Sequence, residues 1–453
     1  MEKKTQYLIG MDIGTSSVKG VLTAADGSRK VTARKEFVYD RPGDGRAEIP
    51  AERYLETCYA LLRTLAEQVP DGGKLMGVSA ASASGNPLLL AKDGTPLTPI
   101  INWQDVRVTD ETDRTLGKWD KESYYRSTGW QFDGKTFPLA DLCWYRVHHP
   151  ELLDAGGTVC MSTEFLNREL TGKWGIGTSA GTPFYLIDQE TGTYRKDVLD
   201  LLGIAENRLP PVLPTGSVLG GVTKEGSEAS GLPEGTPVAV GTFDHPSAAR
   251  GVGILREGQL LLSCGTSWVG FYPIDDRKRV LDAGMLCDPF LSENGGPWAG
   301  MVSLESFSGN LEAYVRRYIA DAGDIYGALT SLAAESESGA GGLAIDPLAE
   351  PDDARILAYP KKHIARAIME GTVRRLAVRI REIAEKGIAA KEAVMVGGPS
   401  ERPLWAQLIA EQTGLAVRVM HGAYAGAVGA AMLAGISAGI WKNEEEALED
   451  LRD

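Results

Sequence analysis

The stretch Tyr7-Leu8-Ile9-Gly10-Met11-Asp12-Ile13-Gly14-Thr15-Ser16-Ser17-Val18-Lys19-Gly20-Val21-Leu22 reads as a hairpin. An apolar run over 7–13 predicts a buried strand, Gly14-Thr15-Ser16-Ser17 a tight turn, and 18–22 a second strand. Asp26-Gly27 then turns the chain into a third strand. The same grammar returns downstream. Gln259 to Cys264 reads as a strand, Gly265-Thr266-Ser267 as a turn, and Trp268 to Tyr272 as a strand. The pair G-T-S-S-V and G-T-S-W-V is a short internal echo. It predicts two related domains, each opening with a hairpin that offers a phosphate-binding turn.

Outward from the first hairpin, Ala51 to Gln68 carries Tyr54, Leu55, Cys58, Leu61, Leu62 and Leu65 at helical spacing. Leu75 to Ala81 is a further buried strand, closed by the polar loop Ser82-Ala83-Ser84-Gly85-Asn86. Leu139 to Val147 reads as a helix and 159–170 as a strand-to-helix unit. Residues 205–237 are Pro- and Gly-rich, and read as loops and short strands. Outward from the second hairpin, 335–342 and the acidic 346–353 are the loosest part. Helices over 361–386, 404–413 and 424–434 alternate with strands over 392–396 and 416–420. That alternation argues for an α/β fold.

A chain of 453 residues with 43% hydrophobic and 24% charged residues has ample material for two or three soluble domains. A net charge of -14 and the lack of a long basic run argue against nucleic acid or an anionic membrane as partner. Five cysteines with no C-x-x-C spacing indicate neither a disulfide framework nor zinc, and they read as structural. The first residues lack the apolar core of a signal peptide. Ala423 to Ile440 is uncharged over 18 residues, but its Ala and Gly content predicts a tightly packed buried helix rather than a membrane span. The expectation is a cytoplasmic protein.

The chemistry centres on Val238-Ala239-Val240-Gly241-Thr242-Phe243-Asp244-His245. A buried strand delivers one carboxylate, flanked in sequence by the two Gly-Thr-Ser turns. Alone, Asp244 reads as a helix N-cap, a common use of Asp. With the turns beside it, Asp244 reads as the base that takes a proton from an acceptor hydroxyl in phosphoryl transfer. Such help is worth ~10²–10⁴ in rate, the rest coming from positioning and charge neutralisation. Gly14, Thr15 and Ser16 offer backbone N–H and hydroxyl donors to phosphate, as do Gly265, Thr266 and Ser267. Lys19 can reach a terminal phosphate as a point charge. Asp12 can hold Mg²⁺ through water. Gly397 and Gly398, followed by Arg402, suit close backbone approach by a nucleotide. Trp103 and Asp105 could line a polyol site, with Ser84 in the loop before them. The bland alternative for these last residues is a core Trp beside a surface acid.

In combination and in this order the motifs are similar to those of the FGGY-type carbohydrate kinases of the actin-like ATPase superfamily. The resemblance covers residues 7–435. It is carried by I-G-M-D-I-G-T-S-S-V-K at 9–19, N-W-Q-D-V-R at 102–107 and T-E-F-L-N-R-E-L-T-G at 163–172. V-A-V-G-T-F-D-H at 238–245, S-C-G-T-S at 263–267, V-M-V-G-G-P-S at 394–400 and A-V-G-A-A-M-L-A at 427–434 complete it. It implies two RNase H-like domains with a cleft between them: a sugar-binding domain over 1–247 and an ATP-binding domain over 248–453. It places Asp244 on the catalytic base, Asp12 on the metal-linked Asp and Trp103 on a sugar contact. It places Gly265 and Thr266 on the second phosphate turn, and Gly397 and Gly398 on the adenosine motif. ATP, Mg²⁺ and a small sugar or polyol, a pentulose such as xylulose first among them, are the implied ligands, and a homodimer an implied assembly.

The chain also departs from the pattern. Ser84-Gly85-Asn86 stands where xylulose kinases usually carry Met-His-Gly and glycerol kinases Arg-Glu. His245 follows the base position, Pro399 enters the adenosine motif, and the acidic stretch 346–353 replaces a G-E-R-x-P segment. These changes admit another ketose, a polyol or a sugar acid as acceptor. The kinase reading stands, with two rivals: a nucleotide switch, which would share the phosphate turns, and a sensor, which the altered loops at 84–86 and 346–353 keep open.

Overall fold

The computed structural model describes residues 5–83, 85–117, 119–265, 268–304, 307–349, 351, 353–420 and 422–451. Two compact units divide it. The first comprises Met1–Gly253, Leu286–Gly296 and Tyr424–Asp453, and the second Ile254–Met285 and Pro297–Ala423.

The first unit is built on strands β1 (Gln6–Ile13), β2 (Ser17–Ala24), β3 (Lys30–Glu36), β4 (Lys74–Ser82), β5 (Val218–Gly221) and β6 (Pro237–Phe243). They form one six-stranded sheet in the order β5-β6-β4-β1-β2-β3. β1, β4 and β6 are parallel neighbours, and β2 and β3 follow β1 antiparallel. β1 is an unbroken apolar run because both its faces are covered. Successive side chains point to opposite faces. Tyr7, Ile9, Met11 and Ile13 join a core with Tyr54, Cys58, Leu61, Leu62 and Leu65 of the helix Ala51–Ala66. Leu8 faces the other way, into a core with Ala427, Ala431 and Ala434 of the helix Ala425–Ser437.

The composition of that second helix is explained by contact distance. A Cβ on Gly10 would lie 1.9 Å from the Ala427 carbonyl oxygen, and one on Gly429 1.9 Å from that of Ser247. Only glycine lets these backbones meet. The uncharged stretch at 423–440 is thus a 13-residue buried helix. Among the described residues no helix is long and apolar enough to cross a membrane.

In the second unit, β7 (Gln259–Cys264), β8 (Trp268–Ile274), β9 (Trp298–Leu304), β10 (Glu392–Val396) and β11 (Ala416–Val419) lie in the order β9-β8-β7-β10-β11. β7 pairs antiparallel with β8 and parallel with β10. β8–β9 is antiparallel and β10–β11 parallel. This repeats β3-β2-β1-β4-β6 strand for strand. The echo of G-T-S-S-V and G-T-S-W-V therefore marks equivalent hairpins, and the fold is α/β with two actin-like ATPase domains. The helix Lys361–Glu385, expected over 361–386, buries Ile364, Ile368, Leu376 and Ile383.

The units do not divide at 247/248. The helix Ala425–Ser437 belongs to the first unit because its Ala and Gly face is packed on β1, and Leu286–Gly296 returns to that unit as well.

Candidate active site

In the first unit, β1 and β6 deliver the two acids. Asp12 is the penultimate residue of β1 and the cross-strand partner of Lys19 on β2. Its carboxyl also meets the first turn of the helix Ala425–Ser437, where a Cβ on Gly426 would lie 2.8 Å from Asp12 Cγ. Burial raises the Asp12 pKa to about 6, the charge of Asp244 raises it too, and Lys19 opposes both. Asp244 heads the helix Asp244–Val252, directly after β6. A bulge between Ala239 and Thr242 offsets the strand just before it. Gly241 makes this possible, since a Cβ there would lie 1.6 Å from the Ala80 carbonyl oxygen. Asp244 does not serve as the N-cap, a position Phe243 occupies. Its Oδ1 accepts the His245 N–H at 2.7 Å, and His245 Nε2 stands 3.9 Å from the same oxygen. Burial raises the Asp244 pKa, and the neighbouring His245 pulls it back. A carboxyl half-buried beside a second acid is suited to holding a proton taken from a hydroxyl.

The turn after β1 is open at its tip. Gly14 donates its N–H to the Ser17 carbonyl at 3.0 Å, and Thr15 and Ser16 project from the hairpin. Trp103 is half-buried and donates its indole N–H to Thr15 Oγ1 at 2.8 Å. Asp105, expected beside Trp103 on a ligand surface, is elsewhere engaged. Its side chain is 1% exposed and binds Arg107 Nη2 at 2.6 Å. It also accepts the N–H groups of Ala47 at 2.7 Å and Arg107 at 3.0 Å. Those bonds engage both carboxylate oxygens and tie Asp105 into the loop. Ser84 lies outside the described residues.

In the second unit, Gly265, Gly398 and Arg402 line one cavity of about 480 Å³. Trp268, Asp324 and Tyr326 are among the other residues of its wall. Gly397 stands behind, with φ +101° and ψ -178°. A Cβ there would lie 2.2 Å from the Cys264 carbonyl oxygen, so glycine alone fits. Gly398 has open space where a Cβ would be. Arg402 does not reach into the cavity unpaired, for its Nη2 lies 3.0 Å from both Asp324 carboxylate oxygens. Trp268 packs edge-on against Trp405 at 5.5 Å, giving the cavity an aromatic floor. Thr266 and Ser267 lie outside the described residues. Asp324, the N-cap of the helix Ile325–Ala334, and Tyr326 in its first turn are not among the residues the sequence motifs point to. The signal of that helix was present in Ile325, Leu329 and Ala333, one face at i, i+4 and i+8.

Two family models account for nearly the whole chain. The N-terminal domain of the FGGY family of carbohydrate kinases matches residues 7–251, and its C-terminal domain matches residues 260–438. The chain belongs to the FGGY family of carbohydrate kinases. Like its relatives, this FGGY kinase is an ATP-dependent phosphotransferase with an alcohol group as acceptor. It is 26% identical to an autoinducer-2 kinase of Yersinia enterocolitica, over 98% of its own length and 89% of the relative's. It is 26% identical to the solved xylulose kinase of Rhodospirillum rubrum, with a TM-score of 0.85, covering 97% of this chain and 92% of that one. The glycerol kinase of Plasmodium falciparum, solved with ADP, shares the fold at 18% identity and TM-score 0.85, covering 99% and 93% of the two chains.

Among the described residues no group of three or more His, Cys, Asp or Glu is placed to hold a metal ion. The donor set at Asp12 nevertheless fits Mg²⁺, which keeps most of its waters and takes one or two carboxylates beside phosphates. Asp12 and Asp244 repel one another, and a divalent cation would relieve that repulsion.

Proposed function

We propose that this FGGY kinase transfers the terminal phosphoryl group of ATP to a hydroxyl of a pentulose such as xylulose. The observation that carries the chemistry is Asp244, an acid of raised pKa at the head of a helix and electrostatically coupled to Asp12. In this reading Asp244 orients the acceptor hydroxyl and takes its proton. The Gly14–Ser16 turn and Lys19 bind phosphate oxygens, the turn at Gly265 does the same, and the cavity beside Gly398 takes the adenosine. Trp103 offers the acceptor an aromatic face. Mg²⁺, held at Asp12, would supply charge neutralisation on the phosphates.

The likeness to the Rhodospirillum rubrum xylulose kinase supports a pentulose. A second reading, autoinducer-2 as acceptor, is supported by the relatives named for that activity, at equal identity and 98% coverage of this chain. The loop at 84–86 lacks the Met-His-Gly that xylulose kinases usually carry, which favours testing both.

The test is ADP release from Mg-ATP across ketoses, polyols, sugar acids and autoinducer-2, with Asp244→Asn alongside. One compound should raise turnover, and the variant should abolish the rise. Near-wild-type turnover in Asp244→Asn would overturn the role of Asp244, and stimulation by a compound other than a pentulose would reassign the acceptor.

A further inference from the structure

The backbone that presents Asp244 is gripped by a closed set of buried hydrogen bonds. Ser179, Thr242 and Asp288 are each 0% exposed. Ser179 Oγ lies 2.7 Å from Thr242 Oγ1 and 2.9 Å from Asp288 Oδ2. It also accepts the N–H of Phe243 at 3.2 Å, the peptide immediately before Asp244. The other oxygen of Asp288 accepts the Phe290 N–H at 2.8 Å. The Phe290 carbonyl in turn accepts from Arg250 Nη2 at 2.7 Å, and the Arg250 guanidinium lies 4.8 Å from the centre of the Phe290 ring. Arg250 stands on the helix that Asp244 begins and is held at Nε by Glu444 at 3.0 Å. The chain on both sides of Asp244 is therefore tied to one short segment, Asp288 to Phe290. Phe290 itself has φ +46°, a conformation rare for a residue with a side chain. Such backbone persists where its surroundings over-determine it.

We propose that Ser179 and Asp288 are positioning residues for phosphoryl transfer, fixing the peptide before Asp244 and so aiming its carboxylate at the acceptor hydroxyl. The proposal rests on Asp244 as base. A hydroxyl has one proton and two lone pairs. Ser179 uses all three, accepting from Phe243 N–H and the Thr242 hydroxyl and donating to Asp288. Without its Oγ the Phe243 amide loses its partner, and the bulged end of β6 has one fewer restraint next to the base. An amide at 288 can keep the set closed if the Ser179–Thr242 bond reverses: its oxygen accepts from Phe290, its NH₂ donates to Ser179, and Ser179 then donates to Thr242. Both residues are fully buried and present no surface to a substrate. Their effect should fall on the rate of the step and not on binding, because small misplacement of a base weakens the transition state more than the ground state.

The experiment compares Ser179→Ala, Asp288→Ala, Asp288→Asn and Asp244→Asn with the native enzyme. It reads kcat and both KM values with the acceptor found above, and amide exchange of the peptide containing Phe243. Both alanine variants should lose about tenfold or more in kcat, with each KM within about twofold, while Asp288→Asn stays within about threefold of native. Exchange at the Phe243 peptide should quicken in Ser179→Ala. Should Asp288→Ala not fold, Ser179→Ala and Thr242→Val are judged by the same criterion. A folded Ser179→Ala with native kcat and native exchange overturns the proposal. A loss seen only in KM also overturns it. If Asp244→Asn keeps turnover, or no acceptor is found, the reading of Asp244 has failed instead, and the exchange measurement still decides whether Ser179 holds the Phe243 amide.

Discussion

Trp103 and Thr15 share a hydrogen bond, indole N–H to hydroxyl, at 2.8 Å. The bond ties the hairpin turn proposed to cradle phosphate to the indole proposed to face the acceptor. Trp103→Phe keeps the ring and removes the N–H. A single hydrogen bond is worth about 1 kcal/mol, which is about a fivefold effect. The expected outcome is an ATP KM raised by that factor, with the thermal midpoint unchanged. An unaltered ATP KM would show that Thr15 does not depend on Trp103 for its place.

Asp12 makes a prediction about stability and pH together. Its folded-state pKa, about 6, lies above the ordinary 3.8. The folded protein thus binds that proton more tightly than the unfolded chain. The resulting stabilisation is fully present below 3.8 and is lost as pH rises through about 6. Asp12→Asn cannot ionise. It should raise the thermal midpoint at pH 7.5, leave it unchanged at pH 4, and lower kinase activity at both. Thermal melts at the two pH values check the sign, and a variant less stable at pH 7.5 would contradict it.

The reading of β1, β4, β6, β7 and β10 from sequence worked because each is an apolar run buried on both faces and closed by small or polar residues. Asp12 and Asp244 were legible as candidates for the same reason, standing where such runs end. What the sequence hid was partnership across distance. Asp105 looks free beside Trp103, yet the N–H of Ala47, 58 residues away in the chain, claims one of its oxygens. Ser179 and Asp288 are 109 residues apart, and neither carries a local signal. The helix Ala425–Ser437 follows the second unit's strands in the chain and was assigned to them by position. Gly426 and Gly429 were the available clue, since glycine inside a helix often marks a close backbone approach, and here the partners are Asp12 and Ser247 of the first unit.

The Asp105 geometry separates a strut from a ligand contact. Removing one partner of a buried ion pair leaves the other charged and unpaired, at a cost of about 3–5 kcal/mol. Asp105→Ala leaves Arg107 with Glu48 as its acidic partner and strips the Ala47 and Arg107 N–H groups of their acceptor. The expected result is a large loss of stability in denaturant melts, with any folded enzyme retaining its acceptor KM. A stable variant with a raised acceptor KM would return Asp105 to the substrate site.

Gly397 and Gly398 should respond in opposite ways, although they are adjacent. Gly397 needs its conformation, φ +101° and ψ -178°, and a Cβ there meets the Cys264 carbonyl oxygen at 2.2 Å. Gly397→Ala must therefore move β7 or the loop itself, a backbone strain of the order of 1–3 kcal/mol. It should lower the thermal midpoint with or without nucleotide. Gly398 lines the cavity and has nothing within 4 Å of a built Cβ. Gly398→Leu should leave the midpoint of the free protein unchanged, because the added atoms enter open space. If that space receives adenosine, the same variant should weaken ATP binding by about tenfold or more, equivalent to about 1.4 kcal/mol. Titration calorimetry with ATP and melts without it read the two effects independently. Native ATP affinity in Gly398→Leu would place the nucleotide elsewhere in the second unit.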